Sequence, residues 1–194
     1  MLKEKIQSEY GFTNFQMGQI RYTLECISME GSKLILMGIY FGLIHKLPLY
    51  AFAIVVLMLL RTCTGGLHFK HYISCFLFTF AFMFLGINVL PVIPLTKLYM
   101  LVLLSVCLIA NFYFAPVVSS YRPTPNGIRV KKSKLQACTI ITAYIVFLYV
   151  CPSTLYSTVG FWIIMLQSFQ LAVAKLISTK RRNCNEENQP DAAV

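Results

Sequence analysis

A chain of 194 residues that is 57% hydrophobic and 12% charged has too little polar surface to cover a water-soluble fold. Its mean hydropathy of +0.67 reflects apolar runs too many and too close for a soluble domain with one anchor. The net charge of +10 is first a matter of topology in such a chain, because Lys and Arg gather on the cytosolic side, and it gives no argument for nucleic acid. Seven Cys at irregular spacing, with Cys107 inside an apolar run, argue against a disulfide framework. No CxxC and no His–Cys zinc spacing occurs, so neither a metal nor a cofactor is expected.

Residues 1–30 carry Lys3, Glu4, Lys5, Glu9, Arg21, Glu25 and Glu30 without an unbroken apolar core, so they do not read as a secretory signal. Thr13-x-x-Gln16 is a capping-box pattern, and Met17, Ile20, Leu24 and Ile27 follow as one apolar stripe. An amphipathic helix on the inner membrane surface is expected there. Residues 34–45 and 48–60 are apolar but each well short of the ~20 residues a span needs, and Lys46-Leu-Pro48 separates them. They predict either a re-entrant hairpin or two short crossings.

Four full spans follow at 72–90, 95–114, 135–150 and 155–177, with a Pro-containing polar loop over 117–134 and a polar tail. The chain therefore reads as an all-α polytopic integral membrane protein: an N-terminal amphipathic helix, two short segments and four full transmembrane helices. Its organisation is 1–32 at the cytosolic face, 33–178 as the membrane domain, and 179–194 as a flexible cytosolic tail. Basic residues concentrate at Lys3, Lys5, Arg21 and Lys33, at Arg122, Arg129, Lys131, Lys132 and Lys134, and at Lys175, Lys180, Arg181 and Arg182. The opposite turns hold only Lys97, so both termini and the 61–75 segment are expected in the cytosol.

That segment, Arg61-Thr-Cys-Thr-Gly-Gly-Leu-His-Phe-Lys-His-Tyr-Ile-Ser-Cys75, is the polar, glycine-bearing break in the pattern. A thiol and an imidazole at a membrane edge can form a nucleophile and its base. On one straight helix His68 would lie about 10.5 Å along the axis from Cys75, too far for direct proton transfer, and His71 about 6 Å. His68 can serve Cys75 only across a bend, which Gly65-Gly66 would permit. No GxSxG, HExxH, P-loop or GxGxxG occurs, which leaves serine or zinc hydrolysis and ATP-driven transport without support.

Arg61-x4-Gly66-x-His68-x6-Cys75 resembles the signature of the accessory gene regulator protein B family (AgrB), membrane cysteine endopeptidases of Gram-positive peptide signalling. Gln19-Ile-Arg21-x2-Leu24-Glu25, the Lys33-Leu34 opening, and Phe114-Ala115-Pro116 ahead of Arg122-Pro123 are similar too. The loop is less densely basic just after Ala115-Pro116 than in some relatives. The resemblance implies His68 and Cys75 as the catalytic pair, with Arg61 and Gly66 in supporting or substrate-binding roles; Gly65 joins them as a glycine that permits the bend. Glu25 is one candidate to orient His68, and Lys131 and Lys132 are candidates to hold an acidic substrate segment, though topology alone accounts for both and is the simpler reading.

The activity implied is removal of the C-terminal segment of a short AgrD-like precursor through a Cys75 thioester. An internal Cys or Ser of the peptide then forms a cyclic thiolactone or lactone quorum-sensing signal. The partners implied are that precursor and membrane lipid, with a homodimer compatible and no nucleic acid. The competing reading is a non-enzymatic peptide exporter or sensor partner, and Cys75→Ser separates the two.

Overall fold

The computed structural model describes residues 14–66, 71–117, 127–151 and 154–187. Among them every regular element is helical, and the one extended pairing is an isolated parallel bridge between Gly65 and Val117. The chain divides into two units, Met1–Lys46 and Leu47–Val194.

In the first unit helix α1 runs unbroken over Asn14–Leu43. The expected amphipathic helix and the first short apolar segment are thus one element. Gly31-Ser32-Lys33 does not interrupt it. A helical glycine costs only about 1 kcal/mol, the Ser32 hydroxyl donates to Met29 O at 2.9 Å, and Lys33 pairs with Glu30 one turn back at 2.8 Å. Of the expected apolar stripe, Met17 is buried while Leu24 and Ile27 are exposed. The helix stops where His45 takes a left-handed φ of 57°. Its N–H bonds Gly42 O at 3.0 Å and that of Lys46 bonds Phe41 O at 2.8 Å, a Schellman closure.

In the second unit α2 spans Leu47–Thr64 and α3 spans Tyr72–Phe84. The latter continues through a π-helical turn, Leu85–Val89, and a 3-10 turn, Leu90–Val92. Pro91 lacks the N–H that would continue the α-ladder, which accounts for the change of winding before the chain leaves the helix. Helix α4 spans Lys97–Phe114, α5 spans Gly127–Val150 and α6 spans Leu155–Glu187.

Three sequence expectations are corrected. The segment expected to be short at 48–60 is an 18-residue helix, about 27 Å long, because Pro48 falls in its first turn, where a missing N–H is harmless. Five described helices are therefore long and apolar enough to cross a membrane, in place of four full spans beside a pair of half-length ones. The 117–134 loop is also shorter than expected. Helix α5 begins at Gly127, so Arg129, Lys131, Lys132 and Lys134 lie on its first turns, as good helix formers can. Finally, α6 continues past 178 as far as Glu187.

Helix α6 is the centre of this unit: it packs on α2, α4 and the end of α3, and half of its span is buried. Its N-terminus is closed by a reciprocal cap, Thr154 N–H to Ser157 Oγ at 2.8 Å and Ser157 N–H to Thr154 Oγ1 at 3.3 Å. Tyr144 of α5 donates to Ser157 O at 2.7 Å. Gly86 lets the π turn close on α6, since an added Cβ would stand 2.7 Å from Ile163 Cδ1. At one end of the bundle Lys97 Nζ donates to Tyr149 O at 2.8 Å and Cys151 O at 3.2 Å, closing the C-terminus of α5. At the other end Gly65 meets Val117, so the end of α2 and the exit from α4 come together.

Candidate functional site

The site is built where α2 ends. The N–H of Gly65, at φ +76°, returns to Arg61 O at 2.9 Å, and a left-handed residue in this place stops the helix. Thr64, fully buried, turns its hydroxyl back to Leu60 O at 3.0 Å. Its carbonyl accepts the Val117 N–H at 3.0 Å. From the middle of α6, Gln167 donates to Thr64 Oγ1 at 3.1 Å and to Gly65 O at 3.0 Å. The carbonyls freed at this helix end are thus met by partners from two other elements, which fixes the direction in which the chain leaves.

Gly66 is buried and non-helical. The next described residue, His71, is extended (φ −102°, ψ 136°), exposed, and stands at the N-cap of α3 without a side-chain capping bond. Residues 61–75 therefore do not form one straight helix. His68 itself lies outside the described residues.

Cys75 is in the first turn of α3 and is 8% exposed. Its thiol is in no disulfide. Its N–H makes the first helical bond, to His71 O at 3.1 Å, and its carbonyl accepts the Thr79 hydroxyl at 2.9 Å.

The other sequence candidates are distributed as follows. Arg61 is half-buried in the last turn of α2, and its Nε is 3.6 Å from where a Gly66 Cβ would stand. Lys131 and Lys132 are exposed on α5. Glu25 lies on α1, in the other unit. Among the described residues no group of His, Cys, Asp or Glu could hold a metal ion.

Sequence inspection passed over the polar side chains of α4 and α6. Gln167 and Asn111 are fully buried, Ser168 and Gln170 nearly so. Asn111 Nδ2 donates to Ser168 Oγ at 2.7 Å. The signal was available: amides inside apolar spans are costly and face the bundle interior.

Five long apolar helices around a buried polar junction define a multi-pass helical membrane protein. The chain belongs to the AgrB family: the family model for Accessory gene regulator B matches residues 2–171. It is 30% identical over 137 residues to a Clostridium beijerinckii protein described as AgrB-like, a match that takes in 69% of this chain and 66%, just under two thirds, of the relative. No solved structure matches the chain.

Proposed function

We propose that the chain is a membrane cysteine endopeptidase that cleaves and cyclises a short AgrD-like precursor peptide. The observation that carries this is the placement of Cys75: a buried thiol in the first turn of a membrane helix, entered from a chain bent at Gly65 and extended at His71. His68 takes the Cys75 Sγ proton. The thiolate attacks a peptide carbonyl, the C–S bond forms, the C–N bond breaks, and His68 returns the proton to the leaving amine. A Cys or Ser of the retained peptide then attacks the thioester, gives its proton to His68 and closes the ring, freeing Cys75. Backbone amides at the start of α3 are the oxyanion donors in this reading. Arg61 binds substrate carbonyl or carboxylate, and Gly65 and Gly66 shape the entry.

The Gly65–Val117 end of the bundle is the cytosolic face in this reading. Arg61, Arg129, Lys131, Lys132, Lys134 and Lys175 belong to it, while Lys97 marks the opposite end. Cleavage then precedes export, both termini are cytosolic, and lipid covers the exposed apolar faces.

The test is processing of a tagged precursor co-expressed with wild-type or Cys75→Ser protein. Wild type is expected to release the C-terminal segment and form a hydroxylamine-sensitive peptide adduct without added nucleotide after purification. Equal processing by Cys75→Ser at equal expression would end the peptidase reading.

A further inference from the structure

Lys131 and Lys132 stand on the side of α5 that faces away from the bundle. The buried side of that helix is Ala137, Ile141, Tyr144 and Leu148. On the other side Ile128, Leu135 and Val146 are 83%, 69% and 55% exposed, and Thr139 and Thr142 are exposed between them. Each of the two lysines is three or four positions from both Ile128 and Leu135, so both lie on this outer side, one turn from an apolar neighbour in either direction. Lys134, by contrast, turns to α4, over the Phe112 ring at 5.5 Å.

Depth places the pair at the edge of the hydrocarbon. Lys97 Nζ holds the carbonyls of Tyr149 and Cys151, which marks the far end of α5. From there the apolar run back to Leu135 is only about 24 Å long at 1.5 Å per residue. The hydrocarbon layer is about 30 Å thick, so its other edge falls at Lys131 and Lys132. Ile128 lies a further turn out, at the level of the headgroups, where an apolar side chain is partly sheltered from water. Lysine stems can lie along acyl chains there with the ammonium groups raised to the phosphates. Charge sets what those groups meet. No Asp or Glu occurs between Glu30 and Glu186, so the second unit offers them no carboxylate before the end of α6.

We propose that Lys131 and Lys132 bind the phosphate of an anionic phospholipid in the leaflet at the Gly65–Val117 end, with its acyl chains along Leu135 and Thr139. Lipid fits this surface better than peptide does, because the two ammonium groups sit on the outer side of the bundle between side chains that lipid covers. The inference needs only that α5 crosses the membrane, and it stands or falls independently of the peptidase reading.

The test reconstitutes the full-length protein in phosphatidylcholine vesicles that carry dibrominated phosphatidylglycerol or dibrominated phosphatidylcholine as a fluorescence quencher. Trp162, the sole tryptophan, is replaced by Phe, and Leu135→Trp puts the reporter one turn from both lysines. Phosphatidylglycerol is expected to be favoured over phosphatidylcholine at this reporter by at least about fivefold, the factor for one lysine near a charged surface. With Lys131→Gln and Lys132→Gln combined, the preference should fall to within about twofold of none. Val146→Trp in the same background reads the same side of α5 at the opposite end and should show no preference with or without the lysines. Should the double variant fail to reconstitute, salt replaces it. Raising the ionic strength from about 0.1 M to about 1 M shortens the screening length from about 10 Å to about 3 Å and should remove most of the preference. Equal quenching by the two lipids in the protein that keeps both lysines overturns the proposal, as does a preference that survives both substitutions. Hexaglutamate or inorganic phosphate that abolishes the preference, where sodium chloride of equal ionic strength does not, assigns the lysines to an acidic peptide or to free phosphate and overturns the lipid site.

Discussion

Gln167 joins the middle of α6 to the end of α2, donating one N–H to the Thr64 hydroxyl at 3.1 Å and another to the Gly65 carbonyl at 3.0 Å. Both bonds lie inside the bundle, where water cannot replace them. Replacing Gln167 by Leu leaves the Gly65 carbonyl with only the longer bond from the Thr64 hydroxyl, 3.3 Å, and loosens the end of α2. The expected loss is about 1–2 kcal/mol, the upper range for polar contacts between membrane helices. Thermal melting in detergent should fall by a few degrees, and precursor processing should fall more steeply than stability. A variant with normal processing would separate this junction from catalysis.

Gly65 meets a different constraint. Its φ of +76° suits glycine, and a Cβ there would collide with the Val117 backbone carbonyl. Gly65→Ala is expected to destabilise by at least about 2 kcal/mol, from left-handed strain plus displacement of the 117 segment. Gly66→Ala meets only side-chain ends, at 3.2 Å or more. It should fold with a much smaller loss of stability. Comparing the melting temperatures of the two variants in detergent checks the contrast.

The helical membrane class was legible in composition and apolar runs because lipid imposes a simple length rule. Helix ends were less legible. Pro48 reads as a breaker by type, yet at the first turn it starts a helix, and sequence does not announce which role it takes. Arg129–Lys134 reads as loop by polarity, yet these residues favour helix once α5 is nucleated by its apolar continuation. The Arg61–Cys75 bend follows from helix distance once the family resemblance selects His68, and the helix boundaries at Thr64 and Tyr72 agree with it. The polar junction was missed because Thr64 and Gln167 are 103 positions apart, and no local pattern links them.

The basic cluster on α5 serves orientation before anything else. Lys131 and Lys132 are exposed, and Arg129 and Lys134 on the same helix share their charge role; Lys134 also lies over the Phe112 ring at 5.5 Å. Reversing Lys131 and Lys132 to Glu together is expected to leave insertion intact, because the remaining cations hold the face. Processing should stay within about twofold, as expected of exposed charges whose interactions are weak and screened. Insertion is read by labelling an engineered cysteine near residue 128 from each side of the membrane. A larger loss of processing with correct insertion would assign these lysines to an acidic segment of the substrate.

His68 and His71 are distinguished by where the helix starts. His71 is exposed and extended, and its contribution to α3 is the carbonyl that receives the Cys75 N–H at 3.1 Å, a backbone group that substitution leaves in place. His71→Ala should therefore keep most of the processing rate. If His68 is the base, His68→Ala removes general-base assistance and should lower the rate about 10²–10⁴-fold, while iodoacetamide still reaches the Cys75 thiol. Single-turnover release of the precursor's C-terminal segment measures both. The opposite ranking, with His71→Ala inactive and His68→Ala near normal, would move the base to the residue at the mouth of α3 and require its ring to swing back over the first turn toward Cys75.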